Sequence, residues 1–503
     1  MGASVHDLWC QRPRRGYVLC PSFAQLALHS STHLSSVRQA IAVPHFFEQM
    51  AVALEAPAPL DLRLLSGIAV PSEVCSGETV GELRRHVASY LGHAHGVVHL
   101  VQKNTILTDD RLLDTLHQTC PVYVVLLPAA IAVSGAGDCD LCLWDLTSHE
   151  CMGTFVGHSG TARAICADFG SWRALCGSSD GTLRLWDLVA RQCLGTMLGH
   201  RGAVLSVKGD FCADKAVSGS FDGAVGVWDL VECTCIAMLY GRYAPVRAVS
   251  ADFDVGRAVS SSDDGALRVW HWRRKDAACC VVLREHRGPI VVLCIDSAES
   301  RAVTGSEDAT MRLWDLGLAK PSCKGVLSGH QGAVTALHAD FTKQRGVSGS
   351  EDQTVRIWDI HMLVCLRTLE GHTGTVTGVA VDEAREGSGL LISVSHDGSL
   401  RAWDIAGTKS CLASLGRHSS AILGMCADFS VGRALSWSHD GTLRLWDLKD
   451  RRCLGVLEGH KGPVLALCAD LRGLCPTSSA FFQPVSHSVS TCDWDCRADG
   501  VTK

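Results

Sequence analysis

The chain has 503 residues, 47% hydrophobic and 19% charged, with a formal net charge of −6. That is enough apolar sequence for two or three domains with buried cores, and it excludes a disordered chain. The mild negative charge supplies no long-range field for DNA, RNA or an anionic membrane, so neither nucleic acid nor membrane is expected as a partner.

Residues 1–59 have no assigned role. No secretory signal is expected, because the first thirty residues carry Arg12, Arg14, Arg15 and scattered polar groups without a sustained apolar stretch. The Met-Gly start has His6 where a myristoylation signal wants Ser or Thr. One amphipathic helix is expected around Phe46–Leu54, ahead of an Ala-Pro-Ala-Pro linker at 56–59. The 25 cysteines follow no secreted framework or metal-ligand spacing. They read as reduced, small hydrophobes of a cytoplasmic or nuclear protein.

Residues 60–128 show a mixed order. Leu62–Leu65 reads as a strand, Gly67 as a turn, and Thr79–Val87 as a helix with Val80, Leu83 and Val87 on one face. Val98–Val101 and Pro121–Leu127 follow as strands. This order resembles a ubiquitin-like β-grasp domain, a small α+β fold. The resemblance implies that Val101 and Val125 belong to its hydrophobic docking face; a domain that only caps its neighbour is the alternative. The segment ends at Leu127-Pro128 without Gly-Gly, so conjugation to other proteins is not implied.

From residue 130 a repeat takes over. Trp144, Trp186, Trp228, Trp270, Trp314, Trp358, Trp403 and Trp446 recur at intervals of 42 to 45 residues. Six residues before each stands Asp138, Asp180, Asp222, Asp264, Asp308, Asp352, Asp397 or Asp440. Ten residues before each stands a Ser or Thr, with Cys176 the one exception. His158, His200, His286, His330 and His418 precede a repeat Trp by 28 residues and His372 by 31, while His460 has no such Trp after it. Between these markers run short apolar strands, and an Asp-Gly hairpin signal recurs in five units.

These features, with strings such as Ser438-His-Asp-Gly-Thr-Leu-Arg-Leu-Trp-Asp-Leu448, resemble those of the WD-repeat family over residues 130–470. The resemblance implies an all-β protein: an eight-bladed β-propeller, with seven blades and an irregular unit as the alternative. It also implies that the repeated His, Ser/Thr, Asp and Trp hydrogen-bond to one another inside each blade. The first unit lacks an opening strand, and Pro463–Cys468 is expected to supply it from the far end of the chain. Residues 471–503 lose the repeat and are expected to be a poorly ordered tail.

Two tempting readings are set aside. Ser, His and Asp could suggest hydrolysis, but a catalytic set occurs once and these recur with the fold. Cysteines seven residues after a repeat Trp (Cys151, Cys193, Cys235, Cys365, Cys453) read as packing rather than metal ligands. Departures fall in the fourth unit, where Arg242 stands in the histidine's place and His271 follows the Trp.

No phosphate loop, metal cluster or unique nucleophile is visible. The expected function is therefore a non-enzymatic scaffold or adaptor with other proteins as partners, no cofactor, and a link to ubiquitin signalling through the N-terminal domain. A propeller hydrolase or lyase acting in the central channel is the alternative. The expected partner-binding rim is the residue before each repeated Asp: Phe221, Asp263, Glu307, Glu351, His396 and His439. Three acidic turns side by side would attract a basic segment of a partner.

Overall fold

The computed structural model describes residues 130–472 except 242–243, 274–278, 297–299, 318–320, 383–388 and 406–410, together with short segments between Tyr17 and Leu126. The chain divides into two units, Met1–Ala129 and Ala130–Lys503.

The second unit is built of eight four-stranded antiparallel sheets. In the third sheet the strands are Val204–Asp210, Lys215–Ser220, Ala224–Asp229 and Thr234–Tyr240, hydrogen-bonded in that order. We call the four positions inner, second, third and outer. Each inner strand touches the inner strands of both neighbouring sheets, and the series returns from Val464–Asp470 to Ala162–Asp168. The sheets are thus the eight blades of a closed propeller.

The first blade joins the two ends of this unit. Its second to outer strands are Ile131–Ala136, Leu141–Asp145 and Glu150–Phe155, and its inner strand is Val464–Asp470. The register runs from Val464 opposite Ala136 to Asp470 opposite Ile131. The expected closing strand, Pro463–Cys468, is extended by two residues to Asp470. Without it, Ile131–Ala136 would be an unpaired edge.

Local sequence explains the repeated geometry. The residue after each repeated Asp has positive φ in all eight turns: Gly181, Gly223, Gly265, Gly398 and Gly441 at no steric cost, and Cys139, Ala309 and Gln353 with side chains. The aspartate after the repeat Trp accepts backbone N–H groups two and three residues on, for example Val189 and Ala190 onto Asp187, and so closes the third-to-outer turn. Each inner strand carries a bulge at its second residue, as between Val204 and Ser206.

The apolar core lies between blades rather than within one. Leu175, Leu183, Leu185 and Met197 of the second blade pack on Val204, Val207, Ala216 and Trp228 of the third. The same layering closes the ring, where Leu435, Trp437, Leu443 and Leu445 of the eighth blade meet Trp144, Leu146 and Val464 of the first. Arginines reinforce it. Arg173 donates to Phe211 O (2.8 Å) and Asp214 (2.9 Å) of the next blade, with its guanidinium 5.4 Å from the Phe211 ring centroid. Arg301 repeats the clamp on Phe341.

The described segments of the first unit form one sheet, in the order Tyr17–Val18, Thr105–Ile106, Val98–Gln102, Val122–Leu126, Ala51–Glu55, Asp61–Leu64 and Ala69–Val70. Residues 82–83 and 86–87 are helical, with Leu83 and Val87 fully buried. Ala51–Glu55 is a strand, not the end of the expected helix, because it pairs on both sides, with Asp61–Leu64 and Val122–Leu126. Phe46–Met50, the turn at Gly67, Val80, the side chains of Val101 and Val125, Arg242 and the tail from 473 lie outside the described residues.

Ending the chain at Lys461 removes the closing strand and leaves the first blade three-stranded. The truncated protein is expected to aggregate, or to melt well below the full chain, in size-exclusion chromatography and thermal unfolding. A monodisperse product with an unchanged melting midpoint would contradict the closure.

Candidate functional site

In six blades the repeated side chains form one continuous rung. In the third blade Trp228 Nε1 donates to Ser218 Oγ (2.7 Å), Ser218 Oγ lies 2.7 Å from His200 Nε2, and His200 Nδ1 lies 3.2 Å from Asp222. The same order joins Trp314–Thr304–His286–Asp308, Trp358–Ser348–His330–Asp352, Trp403–Ser393–His372–Asp397 and Trp446–Ser436–His418–Asp440. An indole can only donate, so the hydroxyl accepts from Trp and gives its own proton to His Nε2. That assigns the ring proton to Nδ1, which donates to the carboxylate. The hydroxyls, imidazoles and indoles are all buried, so each rung satisfies its own polar groups.

The sixth rung belongs to the first blade and uses His460, the histidine with no Trp following it. Trp144 donates to Ser134 (2.7 Å), Ser134 lies 2.7 Å from His460 Nε2, and His460 Nδ1 lies 3.1 Å from Asp138. The two ends of the propeller are therefore joined by side chains as well as by a strand. The missed signal was the Gly459-His460 pair immediately ahead of the closing strand.

Each aspartate also ties two backbone segments. Asp222 accepts Arg201 N from the loop between blades (2.7 Å) and Ala224 N from its own turn (2.9 Å). Burial pushes these carboxyls up, but the N–H, hydroxyl and imidazole donors outweigh it. Asp180, Asp222, Asp308, Asp352, Asp397 and Asp440 are held well below the usual carboxylate range. Burial pushes the His418 imidazole down to about 4, and lowers His158 and His460 too, against the pull of the neighbouring aspartates.

Two blades depart from the pattern. In the second, Cys176 replaces the hydroxyl; His158 still meets Asp180 (3.2 Å), but His158 Nε2 and Trp186 Nε1 are buried without a hydrogen-bond partner. In the fourth, Trp270 donates to Ser260 (2.8 Å) and arginines serve Asp264: Arg268 Nη1 and Arg284 Nη2, each at 3.0 Å. Those guanidiniums and Ser262 hold Asp264 below the usual range, against burial. Arg242, which stands in the histidine's place in the sequence, lies outside the described residues; the carboxylate end of the rung is taken by Arg268, two residues before the Trp.

The rungs carry a hydroxyl, an imidazole and a carboxylate in the order of a nucleophilic triad. They lack its access: the hydroxyl already accepts an indole N–H, and Ser218, Ser348, Ser393 and Ser436 are fully buried. Among the described residues no group of three or more His, Cys, Asp or Glu suited to a metal occurs. The recurrent cysteines sit at the outer-strand bulge, where their thiols point at the carbonyl two residues on, as Cys193 does to Gly195.

The rim residues occupy equivalent turns. Each donates its backbone N–H to the loop before the inner strand: Phe221 to Ala203, Asp263 to Pro245, Glu307 to Pro289, Glu351 to Ala333, His396 to Thr375 and His439 to Ala421, at 2.8 to 3.0 Å. All six thus lie at the same end of their blades, but their carboxylates are not alike. Asp263 is held by Arg247 through two bonds of 2.6 and 3.2 Å, so its charge is offset within its own blade. Glu351 accepts Ala333 N (3.3 Å), while Glu307, Phe221 and His439 are exposed.

The family described as WD domain, G-beta repeat matches residues 149–187, 191–229, 233–271, 277–315, 321–359, 363–404 and 409–447, together more than half of the chain. The chain belongs to the WD-repeat family. Each match begins at the outer strand of one blade and ends on the third strand of the next. Outside the matches lie the inner, second and third strands of the first blade and the outer strand of the eighth, at the two ends of the repeat region. No curated protein matches the chain. Among solved structures it is similar to a crystal structure of the computationally designed Ika8 protein, with 27% identity over 62% of this chain and 91% of that chain, and a TM-score of 0.54.

The second blade gives a direct test of the WD-repeat rung. Cys176→Ser restores partners to two buried nitrogens and is expected to stabilise the propeller by about 1–2 kcal/mol, and Ser348→Cys to destabilise it by a similar amount. Denaturant midpoints for the two variants, shifted in opposite directions, check this.

Acid provides a second test. A histidine whose folded pKa lies below its unfolded value binds more protons when unfolded, so its contribution is full above about pH 6.5 and is lost as pH falls toward its folded value. The lowered aspartates keep their full contribution above their unfolded value and lose it only at still lower pH. Stability should therefore fall from near neutral toward pH 4, and His418→Gln should flatten that slope by up to about 1.4 kcal/mol per pH unit. Urea midpoints measured at several pH values read both.

Proposed function

We propose that the chain is a protein-interaction scaffold, the common role of WD-repeat propellers, which are typically not enzymes. The observation that carries this is how the polar groups are used: the rungs consume the recurrent Ser, His and Asp inside the blades. The residues that differ from blade to blade are those displayed on the turns at one end.

Within that reading, the docking segment is set on the fifth and sixth blades. Exposed Glu307 and the half-buried Glu351, with His396 and His439 on the next blades, favour a Lys/Arg-containing partner segment, and Phe221, 55% exposed, supplies an apolar contact two blades before Glu307. The Arg247 pair removes Asp263 from that field. Glu307→Lys with Glu351→Lys is expected to weaken a basic peptide about tenfold at low salt and less at high salt. Glu351→Gln, which keeps an acceptor for Ala333 N–H, separates charge from turn support. Unchanged affinity across a salt titration, with the variants folded, would place docking elsewhere.

The first unit adds a ubiquitin-like module in this proposal. The hairpin from Asp61–Leu64 to Ala69–Val70, the helical residues 82–83 and 86–87, the antiparallel pairing of Val98–Gln102 with Val122–Leu126 and the parallel pairing of Arg63 with Tyr123 support that order. Such a module would recruit a second partner and link the scaffold to ubiquitin signalling.

A further inference from the structure

The position two residues before the repeat Trp is arginine in six blades: Arg184, Arg268, Arg312, Arg356, Arg401 and Arg444. It faces the recurrent outer-strand cysteine. Arg312 Nη1 reaches Cys323 Sγ at 3.7 Å, Arg356 reaches Cys365 at 3.8 Å and Arg401 reaches Cys411 at 4.0 Å. The two positions therefore share one face of the blade. Only the first blade has cysteine at both, Cys142 on the third strand and Cys151 on the outer strand, with a bulge between Cys151 and Gly153.

The register sets Cys151 opposite Trp144 and Cys142 opposite Thr154, which brings the two thiols together on that face, and Cys151 Sγ donates to Gly153 O at 3.7 Å. Their exposures differ in a useful way, since Cys142 is 1% exposed and Cys151 lies half-buried at the bulge. Arg191 of the next blade lies over the same bulge, its Nη1 2.7 Å from where a Cβ on Gly153 would stand. Cys142 Sγ lies 3.8 Å from Nδ1 of His460, the imidazole that completes the closing rung.

We propose that Cys142 and Cys151 form a peroxide-sensitive dithiol, with Cys151 as the attacking sulfur and Cys142 as the resolving one. The Cys151 thiolate attacks one oxygen of a hydroperoxide, the O–O bond breaks, and Cys151 becomes a sulfenic acid as hydroxide leaves. Cys142 then attacks the Cys151 sulfur, the S–O bond breaks, and the departing hydroxide takes up a proton. Two thiols lose two electrons and two protons, and hydrogen peroxide ends as two waters. The electrostatics agree: the neighbouring Cys142 thiol and the charge of Arg191, against burial, bring Cys151 down to about 7, while burial pushes Cys166, Cys176, Cys426 and Cys468 up.

The test uses the full chain, hydrogen peroxide near stoichiometric amounts, alkylation of the remaining thiols and peptide mapping. Among the described cysteines, exposure alone would select Cys193, Cys212 and Cys235. The proposal expects instead a Cys142–Cys151 disulfide forming about tenfold faster than any oxidation at those three. In Cys142→Ser, Cys151 should accumulate as a sulfenic acid that dimedone traps; in Cys151→Ser, Cys142 should stay reduced. If the exposed cysteines react first while Cys142 and Cys151 both remain alkylatable in the wild-type protein, the proposal is overturned. That wild-type measurement holds even should a variant fail to fold.

Discussion

One buried hydroxyl per blade has to serve two clients. It accepts the indole N–H and gives its proton to the imidazole, and only an atom with both capacities can do so at 2.7 Å on each side. From that follow the histidine tautomer, the use of the carboxylate, and the fixing of two backbone segments onto it. The rung joins the second and third strands to the loop arriving from the preceding blade, so removing the hydroxyl affects the joint between blades as well as one side chain. Cys176 displays the cost in place: sulfur is too weak and too long a partner, and two nitrogens are left over.

The fold was legible because the rung imposes residue identities at fixed spacing, and eight tryptophans on a 42–45-residue interval leave little else to explain them. The closing strand was legible too, because a first blade without an inner strand demanded one. What escaped was whatever depended on that closure. His460 reads as unpartnered along the chain since its Trp lies 316 residues earlier, at Trp144, and only the ring brings the two together. Ala51–Leu54 misled for a related reason: a four-residue apolar run has no decisive period, and its partners at Asp61–Leu64 and Val122–Leu126 decide its state.

The rim was legible as a position but not as a charge distribution. Counting residues places Asp263, Glu307 and Glu351 on adjacent turns, yet the fate of each carboxylate depends on what the inner strand offers opposite. At the bulge of the fourth blade that is Arg247, while the sixth blade offers an N–H and has Thr335 at its bulge. Bulge residues differ between blades because their side chains leave the repeated hydrogen-bond pattern, and that freedom is where a repeat acquires local chemistry. The Cys142–Cys151 pair arises in the same way, from one substitution at a position that is arginine in most blades.

Joining the first blade from both termini of the repeat also sets a timetable. Ser134 meets His460 across 326 residues, so a ribosome adding about 5–20 residues per second needs roughly 16–65 s between delivering one and the other. Throughout that interval Ile131–Ala136 has no inner partner, and every later blade can fold against its predecessor while the ring stays open. The nascent chain therefore carries one bare strand edge for about two thirds of its synthesis, a binding site for holding chaperones that vanishes when the last strand arrives.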